Sequence, residues 1–155
     1  MSGENTNRYD SYFIELALQT AKLSYCTRLK VGAVAVRNRR VLCNGFNGTL
    51  PGMDNCCEEY ITKVTEHGCI TVGKTKAETE HAERNLISYA AREGIKLKGS
   101  SLFSTHAPCI ECAKSIINAG FVEVVFLDFY KDKAGYEFLL KHKILVRQYE
   151  YTELV

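Results

Sequence analysis

Two short stretches hold residue types that together could run hydrolytic chemistry. They are His81-Ala82-Glu83 and Pro108-Cys109-Ile110-Glu111-Cys112. An imidazole and two thiolates can hold a zinc ion on three sides and leave the fourth side for a water. A carboxylate two residues after the histidine can move that water's protons. Cys109 and Cys112 are three apart at the expected start of a helix, so both thiols share one face of its first turn. The same helix start favours their thiolate forms, the forms that bind metal. His81 and Glu83 are expected in the first turn of another helix. Two helix N-termini aimed at one point would make a positive pocket.

Two other uses of these residues compete. A Cys-x-x-Cys pair can be a redox pair. A purely structural zinc would take a fourth protein ligand, for which Cys26, Cys56, Cys57, His67 and Cys69 are all candidates. Glu83 favours the catalytic use, because a structural site has no work for a carboxylate beside its ligand.

The elements that must position these groups can be read along the chain. Residues 9–24 place Phe13, Leu16, Ala17, Ala21 and Leu23 at helical spacing. Residues 31–36 and 41–46 read as a strand pair joined by the polar turn Arg37-Asn38-Arg39-Arg40. Residues 47–80 carry the turn formers Gly48, Pro51, Gly52, Asp54 and Asn55, and are expected to form a functional loop or lid with a short helix at 56–63. A helix is expected over 80–93, ended by Gly94. A strand at 101–104 precedes a helix at 109–119, with Pro108 before it and Gly120 after it. A strand at 121–127, a helix at 134–142 and a strand at 144–149 complete the order. This alternation predicts an α/β fold with helices on both faces of a sheet.

A chain of 155 residues, 46% apolar and 25% charged, suits one domain spanning residues 1–155, with 47–80 as an insert. The net charge of +2 has no basic stripe, which argues against a nucleic-acid partner. A nucleotide-sized anion needs only a few donors. No apolar run is long enough to span a bilayer, and the polar N-terminus has no signal segment, so the cytoplasm is the expected compartment. The seven cysteines then read as free thiols or metal ligands, not as a disulfide framework.

With these residues in hand, the chain resembles the deoxycytidylate deaminases of the cytidine deaminase superfamily. The resemblance covers about residues 10–149. It is carried by Cys26-Thr-Arg-Leu-Lys-Val-Gly-Ala-Val34, Gly45-Phe-Asn-Gly-Thr-Leu-Pro-Gly52, His81-Ala-Glu-Arg-Asn85, Thr105-His-Ala-Pro-Cys-Ile-Glu-Cys112 and Asp128-Phe-Tyr-Lys-Asp132. It implies a three-layer α-β-α fold with a central mixed sheet of about five strands. It implies zinc on His81, Cys109 and Cys112, Glu83 as the proton carrier, and conversion of dCMP to dUMP with release of ammonia. Deamination of dCTP, a nucleoside or a polynucleotide is the alternative within enzymes, and a zinc-stabilised binding module the alternative outside them. By the same resemblance, Asn47 meets the deoxyribose hydroxyl, the Ala82 N–H the base carbonyl, and Arg28 or Lys30, with Tyr130, the phosphate. Relatives form hexamers switched on by dCTP and off by dTTP, with Mg²⁺ on the triphosphate. The effector candidates here are Asn47, Gly48, Gly52, Tyr89 and Arg92, and a homohexamer is implied. Some relatives hold a second zinc, but the residue two before His81 is Thr79 here, not Glu, so free thiols are expected for the remaining cysteines.

Overall fold

The computed structural model describes residues 3–151. Its elements are α1 (Gly3–Ala21), β1 (Gly32–Arg37), β2 (Arg40–Phe46), β3 (Gly48–Thr49), β4 (Glu58–Thr65), β5 (Gly68–Thr75), β6 (Thr79–Glu80), α2 (Ala82–Glu93), β7 (Ser101–His106), α3 (Ile110–Ala119), β8 (Glu123–Asp128), α4 (Ala134–Lys141) and β9 (Leu145–Gln148). Five strands form the main sheet in the order β2-β1-β7-β8-β9. β1 pairs antiparallel with both β2 and β7. β7, β8 and β9 run parallel, and α3 and α4 provide their crossovers. The sheet is therefore mixed, as expected.

Burial explains the layering. All but the last residue of β1 are buried, so its run of small and β-branched residues is covered on both faces. On one face, Phe13, Ile14 and Ala17 of α1 pack with Val34, Val36, Phe103 and Val125. On the other, Leu86 and Ala90 of α2, Ala113 and Ile116 of α3 and Leu139 of α4 pack with Ala33, Ala35, Leu102 and Val124. Alternation along β1 (33 and 35 to one side, 34 and 36 to the other) sends each residue to its own layer.

One close approach seats α2. A Cβ on Gly45 of β2 would lie 2.6 Å from the Ala82 carbonyl oxygen and 2.7 Å from the Leu86 amide nitrogen. Only glycine lets β2 and the first turn of α2 come this near.

The segment 47–80 departs from expectation. It contains no helix at 56–63. Residues 58–75 form a two-stranded antiparallel hairpin in which Glu58 pairs with Thr75 and Thr65 with Gly68. The β-branched residues Ile61, Thr62, Val64 and Thr65 favour extended backbone over helix. The ends of the insert are tied by β3 and β6, where Gly48 pairs with Glu80.

The cysteines also differ. Cys26 and Cys57 form a disulfide, with Cα atoms 5.2 Å apart and a sequence separation of 31. Cys43, Cys56, Cys69, Cys109 and Cys112 are free. Composition pointed to reduced thiols throughout. The fold overrides it by bringing the loop after α1 against the foot of the hairpin.

Candidate active site

His81 is the residue that caps α2, with extended backbone (φ −76°, ψ 154°), and Cys109 caps α3 in the same way (φ −70°, ψ 170°). Neither side chain bonds back to its own helix, so both are free to point outward. The first N–H groups of each helix have no partner within the helix. Gly94 and Gly120 close the two helices at left-handed φ of 70° and 83°, as their positions in the sequence predict.

These two helix starts meet. His81 Nδ1 lies 3.5 Å from Cys109 Sγ and 3.4 Å from Cys112 Sγ. Among the described residues, these three side chains form one cluster whose ligand atoms all lie within 4.8 Å of one another. Zinc bond lengths to nitrogen and sulfur place such atoms about 3.6 Å apart around a tetrahedral ion. The observed separations therefore fit zinc, and the donor set of one imidazole and two thiols suits it chemically. Among the described residues no fourth protein side chain joins the cluster, which leaves one position for a small ligand.

The electrostatics agree. Cys109 is drawn down to about 4, first because its sulfur accepts a hydrogen bond from the Cys112 thiol. Cys112 is correspondingly pushed up by the same bond and by burial. Two thiols this close cannot both ionise without a cation between them. The hydrogen bond that the His81 ring donates to the Cys109 sulfur raises the affinity of His81 for its proton. Glu83 stands in the first turn of α2 and is 4% exposed. Burial pushes its carboxyl group up, which suits a group that must both take and give a proton.

The cluster opens into a cleft of about 550 Å³, within the range of small-ligand sites. His81, Ala82, Glu83 and Cys109 line one part of it. Arg28, Asn47, Glu58, His106, Phe129 and Tyr130 are also on its walls.

Residues 7–128 match the family described as the cytidine and deoxycytidylate deaminase zinc-binding region. The chain belongs to this family. It is 34% identical over 148 residues to ComE operon protein 2 of Bacillus subtilis, covering 95% of this chain and 74% of that protein. It is 32% identical to the deoxycytidylate deaminase of Saccharomyces cerevisiae, where the match takes 94% of this chain but only 46% of the yeast enzyme. The chain thus corresponds to under half of that relative. Among solved structures, the dCMP deaminase of cyanophage S-TIM5 in complex with dCMP and dUMP matches with a TM-score of 0.80. The two are 32% identical, and the match covers 96% of this chain and 99% of that one.

The cleft of this family member holds some of the expected residues and not others. Arg28, Asn47, Ala82 and Tyr130 line it, and Lys30 does not. The amide of Asn47 is already engaged: Oδ1 accepts from the Val31 N–H at 2.8 Å and Nδ2 donates to the Leu29 carbonyl at 2.8 Å. Its visible work is to shape the 29–31 loop, and its Oδ1 keeps one lone pair for a ligand. Gly48 sits in β3, and Gly52 lies in an exposed turn at φ 87°. Tyr89 and Arg92 stack on the exposed side of α2, with the guanidinium 5.4 Å from the ring centre, and neither reaches the cleft.

His106 and Glu58 are cleft residues that sequence reasoning missed. His106 makes a 3.0 Å contact from Nδ1 to Thr105 Oγ1, and burial lowers its pKa. Its place in Thr105-His-Ala-Pro-Cys109, at the end of the strand that leads into the cysteine cluster, was an available signal. Glu58 offered none, because it stands in the segment misread as helix.

Proposed function

We propose that this chain catalyses the hydrolytic deamination of dCMP to dUMP and ammonia, with residues 1–155 acting as one deaminase domain. The observation that carries the reading is the buried Glu83 beside three convergent zinc ligands, at one part of a cleft that also presents Arg28. The likeness to the cyanophage enzyme with dCMP and dUMP supports this choice of nucleotide.

Zinc held by His81, Cys109 and Cys112 would supply a Lewis acid that lowers the pKa of a water towards neutrality. Glu83, buried beside these ligands, would move a proton from the attacking water to N3 of the cytosine ring as C4 is attacked. Glu83 then carries the second proton to the departing amine, which leaves as ammonia. The free N–H of Ala82, at the positive end of α2, meets the base carbonyl. Asn47 faces the sugar. Arg28 and Tyr130 meet the phosphate, with Lys30 outside the cleft wall as a more distant charge.

Glu83→Gln tests the mechanism. It keeps the shape and removes the proton carrier. We expect ammonia release from dCMP to fall by roughly 10²–10⁴-fold, with bound zinc and melting temperature retained, since general acid–base catalysis supplies a factor of that order. Unchanged turnover would sink the mechanism. An assay across dCMP, dCTP, deoxycytidine and single-stranded DNA tests the substrate; no release from dCMP would overturn it.

The same reading includes activation by dCTP with Mg²⁺, inhibition by dTTP, and a homohexamer. Its support is that Asn47 lines the cleft and Gly48 follows it in β3, while Tyr89 and Arg92 share α2 with Glu83. Sedimentation with and without each triphosphate, alongside the ammonia assay, tests it.

A further inference from the structure

We propose that Glu58 is the positioning residue through which the inserted hairpin sets the cleft's affinity for its ligand's phosphate. The proposal rests on the reading of Arg28 as a phosphate partner.

Glu58 opens β4 and is 6% exposed. A buried carboxylate in an anion site has the wrong charge unless its oxygens are already engaged. These are. Oε1 accepts from the backbone N–H groups of both Thr27 and Arg28, each at 3.1 Å, and Oε2 accepts from Thr27 Oγ1 at 3.1 Å. Two consecutive N–H groups on one oxygen fix the backbone at residues 27 and 28, and so fix the direction in which the Arg28 side chain leaves the chain. Charge-assisted bonds of this kind are the strong class.

The other end of Arg28 is held by the opposite strand. Its Nη1 donates to the Gly73 carbonyl at 3.1 Å, and Gly73 of β5 pairs with Tyr60 of β4. The hairpin therefore grips Arg28 at its backbone and at its guanidinium. One of five N–H donors is used in that grip, and the rest are available to an anion in the cleft that Arg28, Glu58 and Thr75 all line. The absence of a side chain at residue 73 is part of the seat: a Cβ there would come 3.3 Å from Arg28 Cδ. The Cys26–Cys57 bridge lies immediately before both Thr27 and Glu58 and keeps the two segments in register. None of these contacts touches the zinc ligands or Glu83. The hairpin thus affects how well a phosphate is held, not how the ring is attacked.

The test compares two ligands that differ only in the phosphate. Calorimetry on the zinc-loaded full chain gives Kd for dUMP and for deoxyuridine. We expect the wild type to prefer dUMP. Glu58→Ala should cut that preference about tenfold while deoxyuridine affinity stays within about twofold. Glu58→Gln, which keeps an oxygen for the two N–H groups, should restore most of it. Arg28→Ala should cost at least as much, and Glu58→Ala/Arg28→Ala no more than Arg28→Ala alone, because both act on one contact. Gly73→Ala disturbs the Arg28 seat from an exposed strand without threatening the fold, and should lower the same preference. The proposal is overturned if Glu58→Ala weakens both ligands equally, if the two substitutions add, if neither Glu58→Ala nor Gly73→Ala changes the preference, or if the wild type has no preference. Deamination is scored separately, by ammonia release from dCMP, so its failure would be told apart from this one.

Discussion

Cys109, Cys112 and Glu83 each bind a proton with an affinity shifted from its value in water, and His106 belongs with them. It lines the cleft and is half-buried, and burial lowers its pKa below the ordinary imidazole value, against a smaller opposing pull from Asp128. A group whose folded pKa is depressed gives stability that is present above its unfolded pKa, about 6.5, and lost as pH falls through the folded value. Between pH 7.5 and 5 the wild type should therefore lose melting temperature partly through His106. We expect His106→Gln to lose less over the same range. Metal ligands protonate in both proteins, so the difference between their curves isolates His106. Parallel curves from differential scanning fluorimetry would show that His106 is not held neutral.

At the scale of elements, the fourth helix is what backs the metal-holding turn. Gly135, in the first turn of α4, is buried against the Pro108–Cys109 peptide. A Cβ there would collide with the Pro108 carbonyl oxygen and stand 2.6 Å from the Cys109 carbonyl carbon. Helix propensity alone favours alanine over glycine by about 1 kcal/mol. Gly135→Ala should nonetheless weaken zinc binding, by at least tenfold in a chelator competition, because α3 must shift and Cys109 with it. Unchanged zinc affinity would mean the turn can give way at no cost. The sequence could not announce this contact, since glycine inside a helical pattern signals only weakness. What was legible was what local rules encode: Pro108, Gly94 and Gly120 mark the ends of the two helices that carry the site, and β1 reads as a strand covered on both faces. The hairpin was illegible for a physical reason. Its residues are mostly exposed on both faces, so no alternation of apolar and polar marks it. Its best signal was β-branching on both sides of Glu66-His67-Gly68. The Cys26–Cys57 pair was illegible because a contact across 31 residues depends on the whole fold.

For the molecule as a whole, a zinc ion on His81, Cys109 and Cys112 would tie two parts of the core together. α2 and α3 contribute to one buried cluster, and their starts meet at His81, Cys109 and Cys112. An unfolded chain offers no such preformed site, so zinc binding adds to folding free energy. At a thousandfold excess over its dissociation constant, the ion would stabilise the fold by about 4 kcal/mol. That is roughly 10 °C in melting temperature for a chain of this size. Stripping zinc with a chelator should lower the transition by this order, and adding it back should restore it. A second tie lies elsewhere on the sheet and provides a contrast. Arg147 of β9 donates from Nη1 to Asp10 Oδ2 of α1 at 2.7 Å and from Nε to Glu123 Oε1 of β8 at 2.9 Å. Asp10 is 6% exposed, so Arg147→Met would strand a buried carboxylate at a cost of about 3 kcal/mol. The two ties share no residue. Arg147→Met should therefore lower the melting temperature of zinc-loaded and zinc-free protein by similar amounts, leaving the increment from zinc unchanged. If the increment shrinks in the variant, the sheet's far edge and the metal site are coupled, and the two layers do not melt as independent contributions.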